Sequence, residues 1–241
     1  NWRRRFDSKY AALYYPWLLV PDPLQLEGLV RAVPPSGHVA GILARVDRQV
    51  GVHKPPANEP FTAVQSVRLP VNDLDHGRLN DSGINVIRTY NGRGIRLAGA
   101  RTLSSDSEWR FLNVRRLFLM IGETLEEQLQ WTVFEPNSRL LWNDISRVVG
   151  SLLSTLWQRR QLDGPTPEAA FHVICDETTN PPSEIDRGRV VCQIGLQPPW
   201  PAEFVIVRIG KTERALPLLR SSIVNNGRKD PFLAFRFQIS L

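Results

Sequence analysis

The chain has 241 residues, of which 42% are hydrophobic and 22% are charged, as in an ordinary globular protein. No apolar run approaches the roughly 18–20 residues that cross a bilayer, which excludes a membrane-spanning segment. The net charge is +6, but the basic residues are dispersed and their densest cluster is Arg3-Arg4-Arg5. We therefore predict no nucleic-acid partner, whereas a basic surface suits docking onto an acidic protein.

The first fifty residues predict two helices around a short strand. Apolar side chains have helical spacing over residues 3–15, and residues 17–20 form an extended run. Residues 34–50 predict an amphipathic helix, with Ser36 as a cap and Gly51 as its left-handed stop.

A further short helix and a hairpin follow. Residues 73–81 predict a helix that ends before Gly83. Residues 84–90 and 95–102 have strand character, and the Asn91-Gly92-Arg93-Gly94 turn between them is typical of a hairpin.

Two long helices occupy the middle of the chain, since apolar stripes run over residues 114–132 and 141–157. Asn137, in the turn between them, is a candidate cap for the second helix. Strands return at residues 170–175, 190–196 and 203–209. This order of elements predicts an α+β fold, in which long helices cover a mixed β-sheet.

The C-terminal residues predict an extended arm. Residues 211–231 have the composition of a linker, and the last ten residues alternate strictly between apolar and other side chains. Such alternation predicts a half-buried strand, which must bury its apolar face against another surface. Residues 230–237 also resemble the opening strand of tail tube proteins.

The sequence contains no convincing catalytic, cofactor or metal site. Asp73, Asp75 and His76 lie in one polar helical turn, for which a solvated helix face is the better interpretation than a metal site. His172 and Cys175 are three residues apart, and on a strand this spacing places them on opposite faces. We predict that Cys175 and Cys192, each in an apolar run, are buried and reduced.

Several short strings together point to a family. Residues 33–58 resemble the signature of contractile tail sheath proteins, which occur in phage tails, R-type pyocins and related injection systems. Seven further strings occur in the order of that family: Tyr14–Trp17, Leu79-Asn80, Gly83–Asn85, Gly99–Thr102, Asn113–Arg116, Phe134–Asn137 and Pro201–Phe204.

The resemblance implies a domain organisation and a function. Residues 1–210 are similar to the conserved C-terminal domain of a sheath subunit, and residues 211–241 form a linker and strand arm, or the start of a tube-like segment. The missing initiator Met leads us to expect further residues upstream. Such a subunit polymerises around an inner tube and drives its ejection by contraction; the alternative is a low-copy baseplate or cap adaptor.

The resemblance also implies partners and contact residues. We expect other sheath subunits in hexameric rings, the inner tube protein, and baseplate or cap proteins as partners, and no enzymatic activity. Assembly would take place in the bacterial cytoplasm, before the protein resides in a virion tail or injection particle. The candidate strand for pairing between subunits contains Phe232, Leu233, Phe235, Phe237 and Ile239, although it could also fold back onto its own sheet. The candidate tube contacts, which simple solubility also explains, are Arg139, Arg147, Arg159 and Arg160.

Overall fold

A computed structural model of the protein describes residues 3–24, 29–203 and the backbone of 233–240. The helices in these ranges are α1 (Ser36–Gln49), α2 (Asp73–Asp81), α3 (Leu112–Gln128), α4 (Arg139–Gln158), α5 (Pro167–Ala170) and α6 (Pro182–Ile185). The strands are β1 (Leu13–Tyr15), β2 (Leu18–Pro21), β3 (Val30–Val33), β4 (Ser66–Val67), β5 (Ile84–Tyr90), β6 (Gly94–Ala98), β7 (Phe171–Ile174), β8 (Arg189–Leu196) and β9 (Leu233–Ser240).

The α+β class predicted from the sequence is confirmed, with the strands divided among three small sheets. The first sheet has the order β1-β5-β6 and is mixed, because β1 runs parallel to β5 while β5 and β6 form an antiparallel hairpin. The other two, β3-β2-β4 and β7-β8-β9, are antiparallel.

Two hydrophobic cores lie in consecutive parts of the described chain. One packs between the first two sheets, and its buried members are Leu18, Val20, Val67, Ile87, Ile95 and Leu97. The other lies between α3, α4 and the sheet formed by β7 and β8, where apolar side chains of both helices are fully buried. Within the described residues, the apolar stripes of the two long helices pack on the last sheet and not on the first two.

The two long helices have the predicted stripes, but a different residue caps the second. Ser138 accepts a hydrogen bond from the backbone N–H of Leu141 at the start of α4. The Asn137 side chain instead joins the helix to the last sheet: its amide donates to the Arg189 carbonyl at 3.1 Å and accepts from the Trp142 indole at 2.8 Å.

The predicted helix over residues 3–15 is wrong. A single 3-10 turn spans Arg3–Arg5, and Leu13–Tyr15 forms β1. Pairing of β1 with the edge of β5 satisfies its backbone groups, so tertiary pairing overrides the helical spacing of the apolar residues. The predicted strand over residues 203–209 lies almost entirely outside the described residues.

Candidate assembly interface

The C-terminal sheet presents the predicted arm as its outer strand. All eight residues of β9 pair antiparallel with β8, from Leu196↔Leu233 to Arg189↔Ser240. In this single chain the arm therefore pairs with its own sheet. The pairing includes Leu233, Phe235, Phe237 and Ile239, while Phe232 lies outside the described residues.

β8 is a rigid base for this pairing. Its alternate residues Val190, Cys192, Ile194 and Leu196 belong to the core beneath α3 and α4. On its other edge β8 pairs with β7, and the amide of Asn180 extends that edge by bonding both the N–H and the C=O of Val191, at 2.6 and 3.0 Å. A strand added to β8 thus meets an edge whose position is set by the core.

An ion pair fastens Glu203 to the segment that follows β6. The Arg101 guanidinium donates from Nε to Oε1 of Glu203 at 2.8 Å and from Nη2 to Oε2 at 2.5 Å. Arg101 also donates from Nη1 to the Asn80 carbonyl at 2.6 Å, and is only 8% exposed. The hydrogen bonds to Glu203 raise the pKa of Arg101, so its positive charge is held firmly at this position.

The Arg101–Glu203 pair lies beside a groove of about 570 Å³. Pro201 and Ala202 line one side of it, and Leu97, Phe111 and His76 line the other parts. Residues 201–203 therefore form one wall of this groove.

Further polar contacts join the two cores. The amide of Asn113, at the start of α3, donates to the His53 carbonyl at 2.9 Å and to the Pro199 carbonyl at 3.1 Å. Arg116 forms a two-point ion pair with Asp47 of α1. The described residues of the strings Gly99–Thr102, Asn113–Arg116 and Pro201–Phe204 thus have one role in common: they fasten the C-terminal part of the chain to the part that precedes α3.

The four candidate tube-contact arginines all lie along or just after α4, on its exposed side. Arg139 pairs with Glu177 and Arg147 with Asp144, and all four of these side chains are about half exposed or more. Arg159 and Arg160, which follow the helix end, are also exposed. Solvent-exposed pairs of this kind contribute only about 0–1 kcal/mol each, so they can exchange partners easily.

Exposed apolar side chains gather at the turn between α3 and α4. Trp131 and Val133 are 46% and 40% exposed, Leu140 is 77% exposed, and Phe134 is 90% exposed. Phe134 also has φ of 68°, a left-handed conformation that a bulky side chain rarely adopts.

The polar turn considered as a metal site is engaged in protein contacts. Asp73 pairs with Arg88 at 2.7 Å, Asp75 bonds the Asn72 amide, and the two ring nitrogens of His76 contact Arg88 and the Ala98 carbonyl. Among the described residues no group of three or more His, Cys, Asp or Glu side chains could hold a metal ion.

No helix within the described ranges is long and apolar enough to cross a membrane.

The sequence predicted the C-terminal strand and singled out four exposed arginines on or after α4, but it did not reveal the Arg101–Glu203 pair or the exposed apolar turn. The partners of the ion pair are 102 positions apart, so no local pattern could indicate their contact. The sequence does show apolar residues at 131–134. It does not show that their side chains are exposed, because exposure depends on how the whole chain folds.

Comparison with known proteins accounts for most of the chain. A family model described as the phage tail sheath protein central domain matches residues 1–103, and one described as the phage tail sheath C-terminal domain matches residues 104–211. The boundary between these two matches falls between the two hydrophobic cores.

Individual relatives agree with the family models. The tail sheath protein of Vibrio phage KVP40 is 28% identical over 186 residues, which are 76% of this chain and 27% of the phage protein. A chain of the anti-feeding prophage baseplate is 35% identical with a TM-score of 0.79, over 86% of this chain and 56% of its own length.

A third relative comes from a contracted assembly. A chain of the sheath complex of an extracellular contractile injection system, PVC, in its contracted state, is 31% identical with a TM-score of 0.79. The match covers 88% of this chain and 59% of the PVC chain. The present chain thus spans between about a quarter and three-fifths of the length of these relatives.

Proposed function

Because the chain belongs to the contractile tail sheath family, we propose that it is a structural subunit of a contractile sheath. In this role it polymerises around an inner tube and drives the ejection of the tube by contraction. The consecutive matches of two sheath family models over residues 1–211 are the observation that carries this proposal. Energy stored at assembly is released as subunits rotate, so no catalytic group is required in the chain at the moment of firing.

Residues 1–210 form the body of this subunit and residues 211–241 its arm. The two cores and their polar joint support a body that moves as a unit. The partners are further copies of the chain in hexameric rings, the inner tube protein, and baseplate or cap proteins. Subunits assemble in the bacterial cytoplasm and then reside in a phage tail or injection particle.

Neighbouring subunits are linked by exchange of β9. The edge of β8 accepts a strand of eight residues, and a second copy can supply the same strand in the same register. The 21 residues 211–231, if fully extended, reach roughly 70 Å at about 3.3 Å per residue, which is enough to span to a neighbour. Such an exchange of an identical element between copies links subunits without a new kind of contact.

Substitutions in β9 test the exchange. We expect Phe235→Asp with Phe237→Asp to abolish sheath assembly on co-expressed tubes, because charged groups replace the apolar side of the alternating strand. Electron microscopy of the purified protein would report the loss of striated tubes. The matched control, Arg236→Ala with Gln238→Ala on the other side of the alternation, should still form tubes. Tubes of normal abundance from the Phe235/Phe237 variant would refute the role of β9.

The basic side of α4 contacts the tube. Arg139 and Arg147 pair with exposed acidic groups of their own chain, so acidic groups of the tube can replace these partners and release them on firing. Reversal of charge at Arg147 and Arg159 to Glu should prevent assembly on tubes while the protein stays folded. The control is Arg78→Glu on the exposed side of α2. If both variants assemble as the wild type does, the tube contact lies elsewhere.

A second candidate function is a low-copy adaptor at the baseplate or cap. The similarity to a chain of the anti-feeding prophage baseplate, with a TM-score of 0.79, favours it. Copy number separates the two functions, because a sheath has hundreds of subunits in each particle and an adaptor about six or twelve. Quantitative mass spectrometry of purified particles would provide this number.

A further inference from the structure

Cys175 and Cys192 form a buried pair that the proposed function does not use. The register of β7 and β8 pairs Ile174 with Gln193, so the next positions along the two strands are Cys175 and Cys192. Both are free thiols, 7% and 2% exposed, and both belong to the core beneath the long helices.

The backbone hydrogen bonds identify the kind of pair that these two positions form. Asn180 bonds both backbone groups of Val191 on the β7 side, and the Gln197 N–H donates to the Ala170 carbonyl at 2.8 Å on the same side. Hydrogen-bonded positions of β8 therefore alternate as 191, 193, 195 and 197. Cys192 lies between two of them, in a non-hydrogen-bonded pair, where opposite side chains approach each other closely.

The two thiols lie on the same side of the sheet at directly opposite positions. The neighbouring Cys192 thiol lowers the pKa of Cys175, while the Cys175 thiol and burial raise the pKa of Cys192. The Asn180 amide also approaches the Cys175 Sγ, at 3.9 Å. Cys175 is thus the thiol that more readily becomes the nucleophilic thiolate.

We propose that Cys175 and Cys192 form an intramolecular disulfide when the protein meets a peroxide, and that this bond covalently joins β7 to β8. The Cys175 thiolate attacks one peroxide oxygen, forming a sulfenic acid and releasing hydroxide. The Cys192 sulfur then displaces the sulfenic oxygen, which leaves as water as the S–S bond forms. In sum, two thiols and one hydrogen peroxide give one disulfide and two waters.

The bond matters because β8 is the strand to which β9 pairs. In a reducing cytosol the pair stays in the thiol form, and it oxidises once the protein is outside the cell. The disulfide then holds β8 in the sheet through β7, independently of the core. The disulfide itself does not depend on the proposed function, because it concerns one sheet of the isolated chain, whereas its formation outside the cell rests on that function.

Oxidation of the full-length protein tests the proposal. The reduced protein is incubated with hydrogen peroxide, quenched with catalase, denatured, alkylated with iodoacetamide and measured by intact-mass and peptide mass spectrometry. We expect no alkylated cysteine, a mass lower by two hydrogens, and a peptide in which Cys175 is linked to Cys192. Reduction with dithiothreitol should restore both alkylation sites. The oxidised protein should also melt roughly 5–10 °C higher than the reduced protein.

Single variants provide the control. Cys192→Ser leaves Cys175 without its partner, so peroxide should give a sulfenic acid that dimedone traps, with no rise in melting temperature. The wild-type measurement stands without this variant if the variant fails to fold. Two alkylated cysteines after peroxide, a sulfinic acid in place of the linked peptide, or a link between two chains would each overturn the proposal.

Discussion

Asn85 and Gly99 show how a single buried side chain holds the first core together. Asn85 has no exposed surface, and its amide donates to the carbonyls of Leu13 and Arg101, at 3.2 and 2.8 Å. Its Oδ1 accepts from the Arg101 N–H at 2.7 Å. A Cβ at Gly99 would lie 2.7 Å from that oxygen, so only glycine leaves room for the amide. Asn85 thereby positions the backbone of Arg101, whose side chain forms the ion pair with Glu203.

We predict that Asn85→Ala lowers the free energy of unfolding by about 2–4 kcal/mol, because it leaves one buried N–H and two carbonyls without this partner. Urea denaturation followed by circular dichroism would measure the loss. The control is Asn143→Ala on the exposed side of α4, which should change stability by less than about 0.5 kcal/mol. Similar effects of the two substitutions would contradict the role assigned to Asn85.

The family resemblance drew attention to the strings that contain Asn85, Gly99 and Asn113. It did not predict which contacts these residues make. Their hydrogen bonds reach 16 to 86 positions along the chain. Local spacing carries no information about such partners. The same reason explains why Asn137 was expected to cap α4, although it bonds the start of β8.

At the scale of elements, the turn from α3 to α4 combines backbone strain with exposure. The long helices were predictable because their apolar stripes repeat over many turns, and Val114, Leu125, Ile145 and Leu153 are indeed fully buried. The turn was not predictable, because the left-handed conformation of Phe134 follows from how the two packed helices must be connected. Phe134 is 90% exposed, so burial of its side chain contributes too little free energy to offset this strain.

We predict that Phe134→Gly raises the free energy of unfolding by about 0.5–1 kcal/mol, since glycine adopts this conformation without strain. Thermal and urea denaturation would measure the gain. Phe134→Leu serves as the control, because it keeps a bulky side chain in the left-handed conformation and should leave stability nearly unchanged. A destabilised glycine variant would show that the Phe134 ring makes a stabilising contact in the free protein.

At the scale of the whole molecule, the described chain has two apolar cores and a polar joint. The joint consists of the ion pairs of Arg101 with Glu203 and Arg116 with Asp47, together with the hydrogen bonds of Asn113. The family resemblance implied one domain over residues 1–210, because short matching strings do not report how buried side chains are divided between cores. The division became visible only when the elements were assigned to their sheets.

We predict that the two cores respond separately to core substitutions. Leu97→Ala and Ile145→Ala, both at fully buried positions, should each cost about 2–5 kcal/mol. Hydrogen exchange should accelerate mainly in β2, β5 and β6 for the first variant, and mainly in α3 and α4 for the second. Uniform acceleration throughout the protein in both variants would instead show one cooperative unit.

The eight-residue pairing of β9 with β8 also has a mechanical consequence. Tension transmitted through the preceding chain enters β9 at Leu233, which lies opposite Leu196 at one end of the β8–β9 pairing. The hydrogen bonds run perpendicular to the strands, so a pull along the strand axis loads all of them at the same time. A pull across the sheet would instead unzip the pairs one after another from Leu233. The β8–β9 pairing is therefore strong against force along the strands and weak against force across the sheet. The angle of the applied force decides whether the two strands stay paired.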